Sequence, residues 1–431
     1  MAAKRPSRRR YDIALWIDNA VGPALCALLL AWKRVFRRRR SPPDPQSVQR
    51  VLLLKMWGMG SIVLASPLLE RLRERYPGAQ IDFLSLGENE AVARLYPDID
   101  RVIAIDLSRG VPRFLLDTLS TIRELRRTRY DLLLDLEFFT RFSAILSYLV
   151  GAAWSHGFSA KGKWRGRLHD AEVPFNAYCH VTQNFLTLLS GDPMNPTDAD
   201  AVSGGRVLPA IRPPDGAWER CHGTLSADPA WREGERLVVV NPNAGDMALE
   251  RRWPAEQFAE LLVHLTAQES ANVVVVGAAS ERGRAEAVVK LSQTGSRVVN
   301  LAGRCDVAEL VALLARADVV VTNDSGPMHL AAAVGASTVA LFGPETPILY
   351  GPLRSAEEQQ HAVHYLGLGC SPCMFVHDNK VLSCWFSQAK CMTGIAVADV
   401  LASVRAILAG EDPNASRIRG PESLRTVGRG Q

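Results

Sequence analysis

The segment from Ala317 to Pro347, ADVVVTNDSGPMHLAAAVGASTVALFGPETP, restricts the possible folds of this chain more than any other. Val319 to Thr322 is a β-branched run without polar alternation, which predicts a parallel strand buried on both faces. Asn323-Asp324-Ser325-Gly326-Pro327 breaks that strand and carries the signals of a helix start. A helix of small residues is predicted over Met328–Val334 and, after Gly335, a second buried strand over Thr338–Phe342. Such a strand–turn–helix–strand unit puts its polar residues at the carboxyl end of a parallel strand, where open α/β sheets bind ligands. The free N–H groups and the dipole at the helix start suit a phosphate. Asp324 can accept hydrogen bonds from sugar hydroxyls, and His329 lies on the first helical turn. Taken alone, the turn also reads as a structural one whose aspartate caps a helix, which is the more frequent case.

The same alternation recurs along the chain. With 431 residues, 47% of them hydrophobic, two cores of ordinary domain size can be buried. Strands are predicted at Val51–Leu54, Ile81–Leu84, Arg101–Ile105 and Asp131–Leu136, with helices between them, including Ile62–Arg75 after the Gly58/Gly60 turn. A strand near His156–Phe158 and a helix around Val181–Leu189 follow. Gly191 to Gly234 is rich in Pro, Gly and Asp and reads as a boundary holding one short helix, around Ala217–Ser226. A second set begins at Leu237–Val240 and continues through Val273–Val276, Val298–Leu301 and the two strands above, with a closing helix over Val397–Leu408. The fold class is therefore α/β, with two doubly wound domains. The expected division is 1–47 (basic helix and linker), 48–205 (first domain), 206–235 (linker), 236–395 (second domain), 396–410 (closing helix) and 411–431 (disordered tail).

Charge is distributed unevenly. The formal net charge is +5, yet residues 1–40 hold 11 Lys and Arg against 2 acids, so the rest of the chain is net negative. That excludes a nucleic-acid-binding core and assigns the basic character to the N-terminus. There, Lys4, Arg5 and Arg8–Arg10 precede an apolar segment, Ile13–Trp32, and Lys33, Arg34 and Arg37–Arg40 follow it. A helix over that segment would be about 30 Å long, barely enough to cross a bilayer, and Asp18, Asn19, Gly22 and Pro23 interrupt it. The favoured expectation is a helix lying on the membrane surface with its arginines on anionic head groups; a helix packed on the first domain is the alternative.

Several spacings then converge. Asp324-Ser325-Gly326-x-x-His329, Lys55-Met56-x-Gly58-Met59-Gly60, and Arg251 two residues before Trp253-Pro254 resemble the motifs of family 9 glycosyltransferases, a family that includes the ADP-heptose:lipopolysaccharide heptosyltransferases. The resemblance covers about Val51 to Val404. It implies a GT-B fold, two Rossmann-like domains facing a cleft, and inverting transfer from a nucleotide-diphosphate sugar of the ADP-heptose kind to a glycolipid or polysaccharide acceptor. The donor side would be Asn241, Arg251, Glu281, Cys305, Asp324, Ser325, Gly326, Pro327 and His329. Glu281 stands where the family binds the nucleotide ribose, and Cys305 where it packs the adenine. The implied location is cytoplasmic, on the inner face of a bacterial inner membrane. No DxD-like motif sits at the phosphate site, so no cofactor is expected for catalysis.

This chain departs from the family at one position. The aspartate assigned there as general base follows Met-Gly; here Ser61 follows Met59-Gly60. A serine hydroxyl is too weakly basic to deprotonate a sugar hydroxyl unaided. Glu137, just beyond the Asp131–Leu136 strand, is the best replacement base, with Gly60 and Arg141 on the acceptor side. Glu137 and Arg141 also fit a plain four-apart helix pair. The loop holding Lys161, Lys163, Arg165, Arg167, His169 and Trp164 fits an anionic acceptor, a membrane or plain solvent. Finally, Cys370, Cys373, Cys384 and Cys391 fall within 22 residues, a spacing compatible with a structural zinc site or with reduced core thiols.

Overall fold

The computed structural model describes residues 8–36, 41–160, 162–192, 207–245, 248–268, 271–374 and 384–414. Strands β1 (Arg50–Leu54), β2 (Gln80–Leu86), β3 (Arg101–Ile105), β4 (Leu132–Asp135), β5 (Trp154–Ser159) and β6 (Ala171–Pro174) form one parallel sheet, in the order β3-β2-β1-β4-β5-β6. A second parallel sheet holds β7 (Arg236–Asn241), β8 (Ala271–Val275), β9 (Val298–Asn300), β10 (Val319–Asn323), β11 (Thr338–Phe342) and β12 (His361–Tyr365), in the order β12-β11-β10-β7-β8-β9. Counted within each sheet, both orders are 3-2-1-4-5-6, the doubly wound arrangement.

The helices are α1 (Arg8–Ala20), α2 (Gly22–Phe36), α3 (Met59–Arg75), α4 (Glu90–Ala93), α5 (Val111–Thr128), α6 (Arg141–Val150), α7 (Val181–Ser190) and α8 (Ala217–Ser226). They continue with α9 (Ala255–Gln268), α10 (Arg282–Ser292), α11 (Val307–Leu314), α12 (Gly326–Ala333), α13 (Pro347–Tyr350), α14 (Lys390–Thr393) and α15 (Val397–Ala409). Apolar runs without alternation form the central strands because helices cover both faces of each sheet. Val51 and Leu53 enter one core, and Leu52 and Leu54 the other. The first of these cores runs across both domains, since Ile62 and Leu69 of α3 share it with Met328 and Leu330 of α12.

The N-terminal segment is a helical hairpin broken at Val21 and docked on the first domain. Asp18, nearly buried, accepts hydrogen bonds from the Arg141 and Phe142 backbone N–H groups (2.8 Å each) and so caps α6. It also pairs with Lys163 (3.4 Å) and Arg141 (3.6 Å). Cys26 is buried against Ala144 and Leu168, and Lys33 Nζ donates to the carbonyls of Arg167, Leu168 and His169. Asp18 and Asn19, which break the apolar run in sequence, thus help fasten the hairpin to the protein. Among the described residues, no helix is long and apolar enough to cross a membrane.

Candidate active site at the domain interface

In a doubly wound sheet, the loops leaving the two central strands diverge and open a crevice at the carboxyl ends. Here the central pairs are β1/β4 and β7/β10, with Leu54 level with Asp135 and Asn241 level with Thr322. Every motif singled out above except the cysteine cluster lies at or near these ends.

On the first domain, Glu137 is fully buried. Its Oε1 pairs with Lys55 Nζ (2.7 Å) and accepts the N–H groups of Met56 and Trp57 (2.8 Å each), locking the loop after β1 to the loop after β4. Its Oε2 has no hydrogen-bond partner among the described residues. Lys55 is buried as well and donates to the Trp57 carbonyl. The four-apart pair of Glu137 with Arg141 is not formed, because Lys55 takes the carboxylate and Arg141 turns to Asp18, Asn19 and the Trp164 carbonyl. Asp135 lies two residues before Glu137 and pairs with Arg165 (2.5 Å) and His169 (3.1 Å), all three buried. Burial opposes its charge, but Arg165 and His169 outweigh that and hold the Asp135 carboxyl below its ordinary value. The basic loop is therefore largely spent inside the protein: Lys163, Arg165 and His169 are buried, and Trp164 is half exposed.

On the second domain, Asn241 Nδ2 donates to Thr322 Oγ1 (3.1 Å) and Ser325 Oγ (3.0 Å), bracing the 323–326 turn. Arg251 Nη1 donates to the Asp324 carbonyl (3.0 Å) and lies 3.5 Å from its carboxylate; Nη2 donates to the Ala244 carbonyl (2.6 Å). Its Nε is buried without a partner among the described residues. Ser325 is the N-cap of α12, and Gly326 and Pro327 open that helix. Glu281 accepts the N–H groups of Gly245 (3.0 Å) and Ala278 (2.9 Å), joining the loops after β7 and β8. Cys305 packs on the core side below Leu301, and burial pushes its thiol up to about 12.

The two halves meet. A Cβ at Gly60 would lie 2.4 Å from His329 Cδ2, and one at Gly326 would lie 3.0 Å from Met59 Sδ, so the N-termini of α3 and α12 abut. Ser61 sits in the first turn of α3, after Gly58 at φ +85°, a conformation that favours glycine. His329 is buried at this junction with Nδ1 unpartnered among the described residues; burial, with His180 and Arg251 adding to it, lowers its pKa to about 3. It is a neutral imidazole at neutral pH. The phenol of Tyr350 is raised by burial and by the negative charges of Glu345, Asp324 and Glu137, which places it among carboxylates from both domains. Tyr350 gave no signal in the sequence. Lys55 did, as a lysine directly after a four-residue apolar run, but its role needs Glu137 beside it.

The four clustered cysteines line one small cavity together with Pro344, Trp385 and Lys390. Among the described residues, no three His, Cys, Asp or Glu side chains are arranged to hold a metal ion as they stand.

Comparison with known proteins bears on the whole arrangement. Residues 118–380 match the family described as glycosyltransferase family 9 (heptosyltransferase). Lipooligosaccharide heptosyltransferase 2 of Haemophilus influenzae is 25% identical over 318 residues, covering 70% of this chain and 86% of that protein. Lipopolysaccharide heptosyltransferase 2 of Escherichia coli is 25% identical over 307 residues, covering 70% and 85%. Among solved structures, E. coli ADP-heptose LPS heptosyltransferase II superposes with a TM-score of 0.67 at 22% identity, covering 84% of this chain and 98% of that one. A family 9 glycosyltransferase from Veillonella parvula gives the same score at 21% identity, covering 86% and 99%. The architecture is thus that of these two-domain transferases, and with more than half its length matching the family, the chain belongs to glycosyltransferase family 9 and is a glycosyltransferase.

Proposed function

We propose that the enzyme transfers a heptose from a nucleotide-diphosphate donor of the ADP-heptose kind to a lipopolysaccharide-core or other surface-glycan acceptor, inverting the anomeric carbon. The observation that carries the mechanism is the fully buried Oε2 of Glu137, partnerless among the described residues, beside the loop that begins α3. An acceptor hydroxyl attacks the anomeric carbon as Oε2 takes its proton, and the bond to the donor diphosphate breaks. Charge developing on the leaving phosphate is met by Arg251 and the N–H groups that open α12. Asn241 and Ser325 hold that turn in place, and Asp324 accepts from the sugar hydroxyls. His329, uncharged, donates or accepts a hydrogen bond at the seam. Glu281 faces the ribose, and Cys305 belongs to the wall below the adenine. Arg141 acts on the acceptor side by holding the hairpin and the Trp164 loop in register.

The test is turnover by the purified full chain. With ADP-heptose and a lipopolysaccharide-core acceptor, mass spectrometry is expected to show the acceptor heavier by one heptose, with ADP released. Conversion of the donor in the absence of acceptor would point to a sugar-nucleotide epimerase instead. Donor binding without turnover would point to an inactive binding protein, the reading that Ser61 motivates. The names of the matching relatives support the transferase.

Two finer points belong to the same proposal. The acceptor is a membrane glycolipid, so the enzyme works as a peripheral protein on the cytoplasmic face of the inner membrane; the basic N-terminus supports this. Cys370, Cys373, Cys384 and Cys391 hold a structural zinc ion, a reading supported by four cysteine side chains lining one cavity. Elemental analysis of protein purified without chelator is expected to find about one zinc per chain. A metal-free chain with four titratable thiols and an unchanged melting temperature would reduce the cluster to core thiols.

A further inference from the structure

Many of the large apolar residues that the protein leaves in solvent lie on the N-terminal hairpin and on α5 of the first domain. On the hairpin, Trp16, Leu28, Trp32, Val35 and Phe36 are 59–72% exposed. Trp16, Leu28 and Val35 lie opposite the stripe of Asp18, Gly22 and Cys26 that fastens the hairpin down. On α5, Leu115, Leu116 and Leu119 are 48–59% exposed, a spacing that puts all three on one helical face. The two elements meet at the first turn of α6. Phe142 packs on Phe114 of α5, with ring centroids 5.4 Å apart, and its backbone N–H donates to Asp18 of α1. Exposed apolar faces on neighbouring elements of this kind mark an interaction site.

We propose that this composite face, hairpin plus the first half of α5, docks on an anionic lipid bilayer. Charge selects the occupant: residues 1–40 carry 11 Lys and Arg against 2 acids, and one of those acids, Asp18, is buried in ion pairs with Lys163 and Arg141. Basic residues flanking exposed Trp, Leu and Phe suit the boundary between anionic head groups and acyl chains. Among the described residues the hairpin helices run for 13 and 15 residues, about 20 Å each, short of the roughly 30 Å hydrocarbon layer, so they lie in its plane. Because Asp18, Cys26 and Lys33 are built into the domain, the hairpin is a preformed platform. Its helices exist before lipid arrives, and α5 shares the contact although it lies far from the basic segment in sequence. The proposal deepens the membrane reading above, but its test needs no sugar transfer.

The experiment is co-sedimentation of the full chain with vesicles of phosphatidylethanolamine and phosphatidylglycerol, with phosphatidylcholine vesicles as the neutral control. The protein is expected to bind the anionic vesicles and not the neutral ones, with helical circular dichroism unchanged on binding. Leu115→Glu with Leu119→Glu, and separately Trp16→Glu with Leu28→Glu, are each expected to weaken binding by about tenfold or more. These side chains are exposed, so melting temperatures are expected to hold. Normal binding by the α5 pair would overturn the composite face. Normal binding by both pairs would overturn lipid as its occupant. A lipid-free dimer that the same substitutions dissociate would give the face to a second copy of the chain and likewise overturn the proposal.

Discussion

Glu137→Gln is expected to lower turnover by about 10²–10⁴, the usual cost of losing a general base, with ADP affinity nearly intact. Ser61→Ala is expected to cost little, because a hydroxyl in the first turn of α3 contributes no basicity. The structure adds a complication. Glu137 also holds the buried Lys55, and breaking a buried ion pair by removing one partner typically costs about 3–5 kcal/mol. Loss of activity alone would therefore not separate chemistry from folding. The double variant Lys55→Met with Glu137→Gln separates them, since replacing both members of a buried pair is often nearly neutral for stability. If that variant melts like the parent and is still inactive, Oε2 is the base. If it turns over normally, Glu137 exists to pair with Lys55. Should Ser61→Ala be the inactive protein instead, the hydroxyl positions the acceptor and the base lies elsewhere.

The second large effect is expected at Arg251. Arg251→Ala should weaken ADP binding by roughly ten- to a hundredfold, the equivalent of a charge-assisted contact of about 1.5–3 kcal/mol. Its guanidinium joins the loop after β7 to the turn after β10, touching the Ala244 carbonyl, the Asp324 carbonyl and the Asp324 carboxylate. A lysine there keeps the charge but cannot reach both loops with one planar fork, so Arg251→Lys should recover only part of the affinity. Calorimetry giving the parent affinity for either variant would remove Arg251 from the donor site.

How much was legible in advance follows from what each feature depends on. Both doubly wound domains were readable from sequence, because a parallel strand covered on both faces must be a continuous apolar run, and a turn of Asn-Asp-Ser-Gly-Pro must end it. The central strands and the helix over 217–226 were placed within a few residues of their observed ends. The edge strands β6 and β12 were not. Ala171–Pro174 ends in proline and His361–Tyr365 mixes polar with apolar residues, patterns that edge strands tolerate since only one side is paired.

The donor turn and its partners were legible too, through spacings that local geometry fixes: a phosphate-binding turn needs its small residues within one helical turn. Pairings between distant segments were not. Nothing in the sequence says that Lys55 rather than Arg141 meets Glu137, that Tyr350 stands among carboxylates of both domains, or that Arg165 and His169 are consumed by Asp135. The N-terminal segment shows the division most plainly. Its composition marked a basic, apolar element suited to a membrane surface, because charge and hydrophobicity are additive along a chain. Only the tertiary structure decided that Asp18, read as an interruption, is the cap of α6 and the fastening of the hairpin, because a carboxylate's role depends on which N–H groups and cations the fold brings within 4 Å of it.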